Sequence, residues 1–163
     1  MWLNAIILAL VTAQRIVELL ISRRNTNRLL ERGAYEVGAA HYVLIVAFHT
    51  VWLAGLWIFA WNRAIDWPWL FAYLVLQAIR GWAIAALGGR WTTRIIIPPD
   101  EPLVSSGPYR YLRHPNYCVV AAEIFILPMA FNLFWYGLGF AIVNGALLFW
   151  RIRVEDEALR PKT

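Results

Sequence analysis

Residues 2–21, 42–61 and 67–87 form three apolar runs with few polar interruptions. Each is close to the roughly 20 residues that an α-helix needs to cross the hydrocarbon core of a bilayer. A fourth run, 117–150, is too long for one ordinary crossing, and Pro128 with Asn132 close behind favours a break inside it. The pattern predicts a helical hairpin there, with a short fourth span over 116–130 and a fifth ending near Trp150. Apolar residues make up 61% of the chain and charged residues 15%. Soluble domains carry about 25% charged residues, so a water-soluble core would leave large apolar patches uncovered. The expectation is an all-α polytopic membrane protein, a single domain over residues 1–163 with five transmembrane helices.

The basic residues give an orientation. Arg23, Arg24, Arg28 and Arg32 follow the first span, and the link after the second has only Arg63. Arg90, Arg94, Arg110 and Arg113 follow the third, the turn near Asn132 has none, and the tail carries Arg151, Arg153, Arg160 and Lys162. Because cytoplasmic loops collect Arg and Lys, this alternation predicts an outside N-terminus and a cytosolic C-terminus. Trp61, Trp67, Trp69, Trp91, Trp135 and Trp150 fall at the proposed span ends, where aromatic rings anchor to the interface. The first run reads as a retained helix rather than a cleaved signal, since nothing basic precedes it and Arg15 and Glu18 interrupt it.

Several function classes drop out. The net charge of +5 is interleaved with apolar blocks, which argues for topology and membrane lipids rather than a nucleic-acid partner. The single cysteine, Cys118, excludes an intramolecular disulfide and is expected to be a small buried apolar residue. Three scattered histidines offer no ligand spacing, so no metal is implied. Gly88-Gly89 is neither a phosphate loop nor a dinucleotide fingerprint, because no strand is expected before it. A nucleotide-like cofactor would be held without a Rossmann fold.

Gly107-Pro108-Tyr109-Arg110-Tyr111-Leu112-Arg113-His114-Pro115-Asn116-Tyr117 leads into the fourth span and is unlike an ordinary connector. Pro115 suits the first turn of a helix, where an amide hydrogen would go unpaired, and the amides from Asn116 to Val119 are expected to point freely at the loop. Such a helix start attracts anions, and Arg113 and His114 add donors beside it. For any one of these residues, anchoring at the inner leaflet is the simpler account; anchoring does not require the whole string in this order.

Arg113-His114-Pro115-Asn116-Tyr117, introduced by Gly107 and Tyr109, resembles the RHPxY signature of the isoprenylcysteine carboxyl methyltransferase family and its relatives among membrane phospholipid methyltransferases. That family places an acidic doublet just after its last span, and Glu155-Asp156 stands there with Glu157 adjacent. Arg15 and Glu18, the Gly33-Ala34-Tyr35-Glu36 connection and His41-Tyr42 resemble the N-terminal half of small bacterial members, so the likeness covers nearly the whole chain. Some of those members O-methylate long-chain alkylpyrones or alkylresorcinols. Val119 stands where the family often has glycine. The resemblance implies S-adenosylmethionine as cofactor, a lipophilic small-molecule or prenylated acceptor reached from the bilayer, and a bacterial inner membrane with the cofactor site facing the cytosol. It assigns the cofactor to Tyr111, Arg113, His114, Asn116, Tyr117, Glu155 and Asp156. Arg113, His114 and the helix start would take its carboxylate, and the two acids would accept from its ammonium or ribose hydroxyls. Tyr111 or Tyr117 would face the sulfonium, a contact of about 0.5–2 kcal/mol.

Polar residues inside the spans are the second clue, because an ionisable group at membrane depth costs at least about 2.5–3.5 kcal/mol and generally faces a partner or a cavity. Arg15 and Glu18 are spaced to meet on one helix face, and Gln77, Arg80, His49 and Glu123 have the same two readings, packing or substrate cavity. Arg113, His114 and Glu123 are the candidate catalytic residues. A carboxylate or acidic enol is already ionised near neutral pH and needs mainly positioning, whereas a phenol needs a base, for which His114 or Glu123 would serve. The expected reaction is O-methylation of a lipophilic acceptor. The alternatives are a phospholipid or amine N-methyltransferase with the same cofactor site, and a non-catalytic transporter or scaffold that binds no S-adenosylmethionine.

Overall fold

The computed structural model describes residues 2–99 and 102–160, so Lys162 of the basic tail lies outside the described residues. Five helices carry the chain: α1 (Trp2–Glu31), α2 (Ala39–Phe59), α3 (Trp67–Leu87), α4 (Pro115–Met129) and α5 (Phe134–Leu159). Four are long and apolar enough to cross a membrane, and α4, at 15 residues, is the short one. At 1.5 Å per residue α4 reaches roughly 22 Å, less than the hydrocarbon thickness. Leu10, Ile16, Ile58, Phe71 and Ile142 are each more than half exposed, as lipid-facing side chains should be. The expected all-α polytopic architecture holds.

Two details depart from expectation. A small antiparallel ribbon joins β1 (Tyr35–Val37) to β2 (Ile95–Ile97), with Tyr35 opposite Ile97 and Val37 opposite Ile95. Three consecutive β-branched residues favour an extended chain, and Ile95 and Ile97 are buried. Cys118 is exposed rather than buried, because the inward face of α4 is filled by Val119, Glu123, Ile124 and Leu127.

One end of the bundle is closed. Asn4 Nδ2 donates to the Ala60 and Arg63 carbonyls at 2.7 and 2.8 Å, tying the start of α1 to the α2–α3 link. Asp66 caps α3 by accepting from the Trp69 amide, with Pro68 in the first turn. The hairpin break falls just after Pro128, whose carbonyl accepts from the Phe131 and Leu133 amides, and Asn132 takes a left-handed φ of 58° that asparagine tolerates. Leu8, Trp52, Leu56, Leu127 and Phe131 pack the core at this end.

At the other end α1 continues well past its apolar run, and the reason is a set of buried polar contacts. Asn25 Nδ2 donates to the Trp91 carbonyl at 2.8 Å, and Ser22 Oγ accepts from the Thr93 amide at 2.8 Å. The last turns of α1 thus hold the α3–α4 connection in place over the open end, where α4 begins and α5 finishes.

Candidate functional site

The segment before α4 turns on Gly107, whose φ of 59° and closeness to Ala86 leave no room for a Cβ (2.9 Å away). A 3-10 turn over Gly107–Arg110 follows and buries much of Tyr109. Burial pushes the Tyr109 phenol up to about 12, and the Glu155 charge adds to it, so this hydroxyl stays protonated.

The two separated motifs meet. His114 Nε2 lies 3.1 Å from Asp156 Oδ1, and Arg113 Nη2 lies 3.7 Å from the same oxygen. The His114 ring stacks on Tyr117 with centroids 5.3 Å apart. The Tyr117 hydroxyl donates to Glu155 Oε2 at 2.6 Å and accepts from Arg151 Nε at 2.8 Å, while Arg151 Nη2 donates to the Thr93 carbonyl at 2.7 Å. Arg151 and Glu155 are four residues apart on one face of α5, which lets both reach Tyr117. The helix start is less open than expected: the Tyr117 and Cys118 amides both turn back to the His114 carbonyl, at 3.1 and 3.2 Å.

Two cavities adjoin here. A polar one of about 360 Å³ is lined by Arg94, Tyr109, Arg113, His114, Glu155 and Asp156 among others. An apolar one of about 450 Å³ lies among α1, α2 and α4, with Arg15, His49 and Glu123 on its wall. Trp91, Thr92, Asn116 and Tyr117 line both. Trp91 Nε1 and Asn116 Oδ1 on this shared wall are buried without a hydrogen-bond partner among the described residues.

Below the shared wall sits a charge-balanced network. Arg80 Nε and Nη2 donate to the two Glu18 oxygens, each at 2.7 Å, and Nη1 reaches Glu123 at 3.2 Å. Arg15 bridges the same carboxylates at 3.0 and 2.8 Å, and Gln77 Nε2 donates to Glu123 Oε1 at 2.5 Å. Two guanidiniums and two carboxylates therefore satisfy one another and join α1, α3 and α4.

Of the residues singled out in the sequence, Arg113, His114, Asn116, Tyr117, Glu155 and Asp156 are brought to the polar cavity. Tyr111 is not: it is 74% exposed and lines neither cavity. Glu123 reaches the apolar cavity with both oxygens already engaged. Trp91, expected at the interface, is instead 2% exposed inside the shared wall. Tyr109, Thr93 and Arg151 were not anticipated as site residues. The spacing of Arg151 from Glu155 was the available signal for one of them.

A model of the isoprenylcysteine carboxyl methyltransferase family matches residues 69–161, which takes in nearly all of α3 with α4 and α5 and leaves α1 and α2 outside. The uncharacterized protein YpbQ of Bacillus subtilis (strain 168) is 34% identical over 160 residues, covering 95% of each chain. No solved structure matches the chain.

Proposed function

The chain belongs to the isoprenylcysteine carboxyl methyltransferase family, a family of membrane methyltransferases, and from that premise we propose that it transfers a methyl group from S-adenosylmethionine to an oxygen of a lipophilic acceptor drawn from the bilayer. The observation that carries this reading is the pair of adjoining cavities, one polar and built on both motifs, the other apolar and walled by membrane helices.

The polar cavity fits the cofactor in size and in its donors and acceptors. Arg113 and His114 are suited to its carboxylate, Glu155 and Asp156 to its ammonium and ribose hydroxyls, and the unpartnered Asn116 Oδ1 to a further donor. The Tyr117 ring is fixed at the shared wall by His114, Glu155 and Arg151, whose guanidinium already lies 5.4 Å from the ring centroid, so the ring is set where positive charge is favoured. When bound, S-adenosylmethionine supplies a methyl carbon made electrophilic by its sulfonium.

Arg151 bears on the acceptor. It is 5% exposed, lines the apolar cavity, and hydrogen-bonds only to neutral oxygens; no carboxylate lies within ion-pair range of it among the described residues. Its nearest carboxylate, Glu155, is reached only through the shared Tyr117 hydroxyl, and a buried guanidinium without a direct ion pair attracts an anion and repels a protonated amine, which favours a carboxylate or enolate over an amine headgroup. An acceptor that arrives ionised needs positioning rather than a base, in keeping with the engaged states of His114 and Glu123. The mutual pairing of the other membrane-depth charges speaks against a transport pathway. In this reading the arginine-rich end, with the polar cavity, faces the cytosol of a bacterial cytoplasmic membrane, and the N-terminus lies outside.

Calorimetry of S-adenosylmethionine binding to the purified protein tests the proposal, with His114→Ala and Glu155→Ala checked for folding beside it. Saturable binding by wild type that weakens at least tenfold in both variants is expected. Absence of binding by folded wild type, in detergent and again in nanodiscs, would sink the methyltransferase reading.

A further inference from the structure

The bilayer-side wall of the apolar cavity comes from α1 and α2, whereas the polar cavity takes only Leu29 from them among the described residues. The apolar cavity is thus shaped largely by the part of the chain that the family model leaves unmatched. Most side chains on that wall are apolar, and nearly every polar one is already occupied. Thr12 Oγ donates to the Leu8 carbonyl and accepts from Trp57 Nε1, Thr50 Oγ donates to the Val46 carbonyl, and Arg15 and Glu18 belong to the charge network.

His49 is different. Its Nδ1 lies 2.8 Å from the Ile45 carbonyl oxygen, which can only accept, so Nδ1 carries the ring hydrogen and Nε2 presents a lone pair. No hydrogen bond to Nε2 occurs among the described residues, and the ring is half-buried on the cavity wall. A lone pair left unpartnered on a largely apolar wall is unfavourable, and a hydrogen bond to it is stronger there than in water. His49 also stands away from the chemistry. Tyr42, whose hydroxyl lies 3.2 Å from Thr93 Oγ, is two helical turns earlier on α2, which puts His49 roughly 10 Å deeper than the shared wall. That is too far for a base acting on the methylated oxygen.

We propose that His49 Nε2 accepts a hydrogen bond from a hydroxyl on the acceptor's hydrocarbon chain, roughly 10 Å from the oxygen that is methylated, and so selects a chain-hydroxylated acceptor over a plain one. This rests on the reading that the apolar cavity receives the acceptor. A hydroxyl is a small donor suited to a largely apolar slot whose charged groups Arg15, Arg80 and Glu123 already pair with one another, and Nε2 is the group left open to it among the described residues.

The test uses the full chain in nanodiscs and two probes: a long-chain carboxylate with a hydroxyl near mid-chain, and the same carboxylate without it. Binding is read by quenching of tryptophan fluorescence, with S-adenosylmethionine binding measured in parallel. Wild type is expected to prefer the hydroxylated lipid by about two- to tenfold. His49→Leu removes the preference, and His49→Gln, whose carbonyl still accepts, keeps most of it. Equal affinities in wild type, no saturable binding of either lipid, or a preference that survives in His49→Leu each overturns the proposal. If His49→Leu does not fold, the wild-type comparison decides alone. A lipid preference present without S-adenosylmethionine binding would sink the methyltransferase reading and leave the His49 contact standing.

Discussion

The Tyr117 hydroxyl donates to Glu155 Oε2 across 2.6 Å, and this bond locks the first turn of α4 to the end of α5. Tyr117→Phe keeps the ring but releases both Glu155 and Arg151. Hydrogen bonds to charged groups contribute about 1.5–3 kcal/mol, so cofactor affinity should fall about 10- to 100-fold. Calorimetry on wild type, Tyr117→Phe, Glu155→Gln and the double variant checks this. The double variant should lose little beyond the worse single one, since Glu155→Gln leaves this bond only a neutral acceptor and Tyr117→Phe removes its donor; fully additive losses would show the two side chains acting separately.

Arg80 is the hub of the membrane-depth network, and Arg80→Met should be among the most destabilising single changes. It takes away both 2.7 Å donors to Glu18 and one donor to Glu123, so that Arg15 alone must balance two buried carboxylates. Breaking a buried pair from one side costs about 3–5 kcal/mol because a charge is left without compensation. Thermal unfolding in detergent should show a large drop for Arg80→Met and a smaller one for Arg80→Met with Glu18→Met, which leaves Arg15 paired with Glu123. An equal or larger drop in the double variant would contradict the pairing.

Two glycines of α5 give opposite expectations. A Cβ on Gly137 would lie 3.1 Å from the Phe125 carbonyl oxygen and from Pro128 Cβ, whereas one on Gly139 meets nothing within 4 Å. Gly137→Ala must push the α4–α5 hairpin apart, at a cost of about 1–3 kcal/mol. Gly139→Ala should leave stability unchanged or raise it by up to about 1 kcal/mol through helix propensity. Comparing the two melting temperatures checks both.

What the sequence discloses and what it hides follow from where the information is stored. Bilayer thickness imposes a length on every span, so 2–21, 42–61 and 67–87 were legible, as was the break near Pro128 and Asn132. The meeting of Arg113 and His114 with Glu155 and Asp156 was legible through motif order. The long polar extension of α1 was not, because Ser22 and Asn25 act on the backbone of Trp91 and Thr93, and backbone partners leave no mark in side-chain pattern. Trp91 looked like an interface anchor because a tryptophan at a span end reads the same whether it faces lipid or a cavity. Arg15 and Glu18 could be paired by spacing alone, but their links to Arg80 and Glu123 depend on how three helices pack.

The β1–β2 ribbon gives the last prediction, because it ties the polar cavity to α2. Arg94, on the connection that lines this cavity, lies with Nη1 2.9 Å from both Glu36 oxygens and with its guanidinium 4.5 Å over the Tyr42 ring. Tyr42 in turn lines the apolar cavity, so one arginine touches the walls of both. The pair is partly exposed, with the Arg94 side chain 40% accessible, and solvent screening limits it to about 0.2–1 kcal/mol. Glu36→Gln should therefore weaken S-adenosylmethionine binding by only about two- to fivefold, and the difference should shrink as salt is raised past the point where the screening length falls below about 10 Å. Tyr42→Leu removes the ring contact instead, whose polarisation and packing are less sensitive to salt, so its effect should persist. Calorimetry of both variants at low and high salt separates the two contacts. A salt-independent loss in Glu36→Gln would mean that Glu36 acts by shaping the ribbon rather than by holding Arg94.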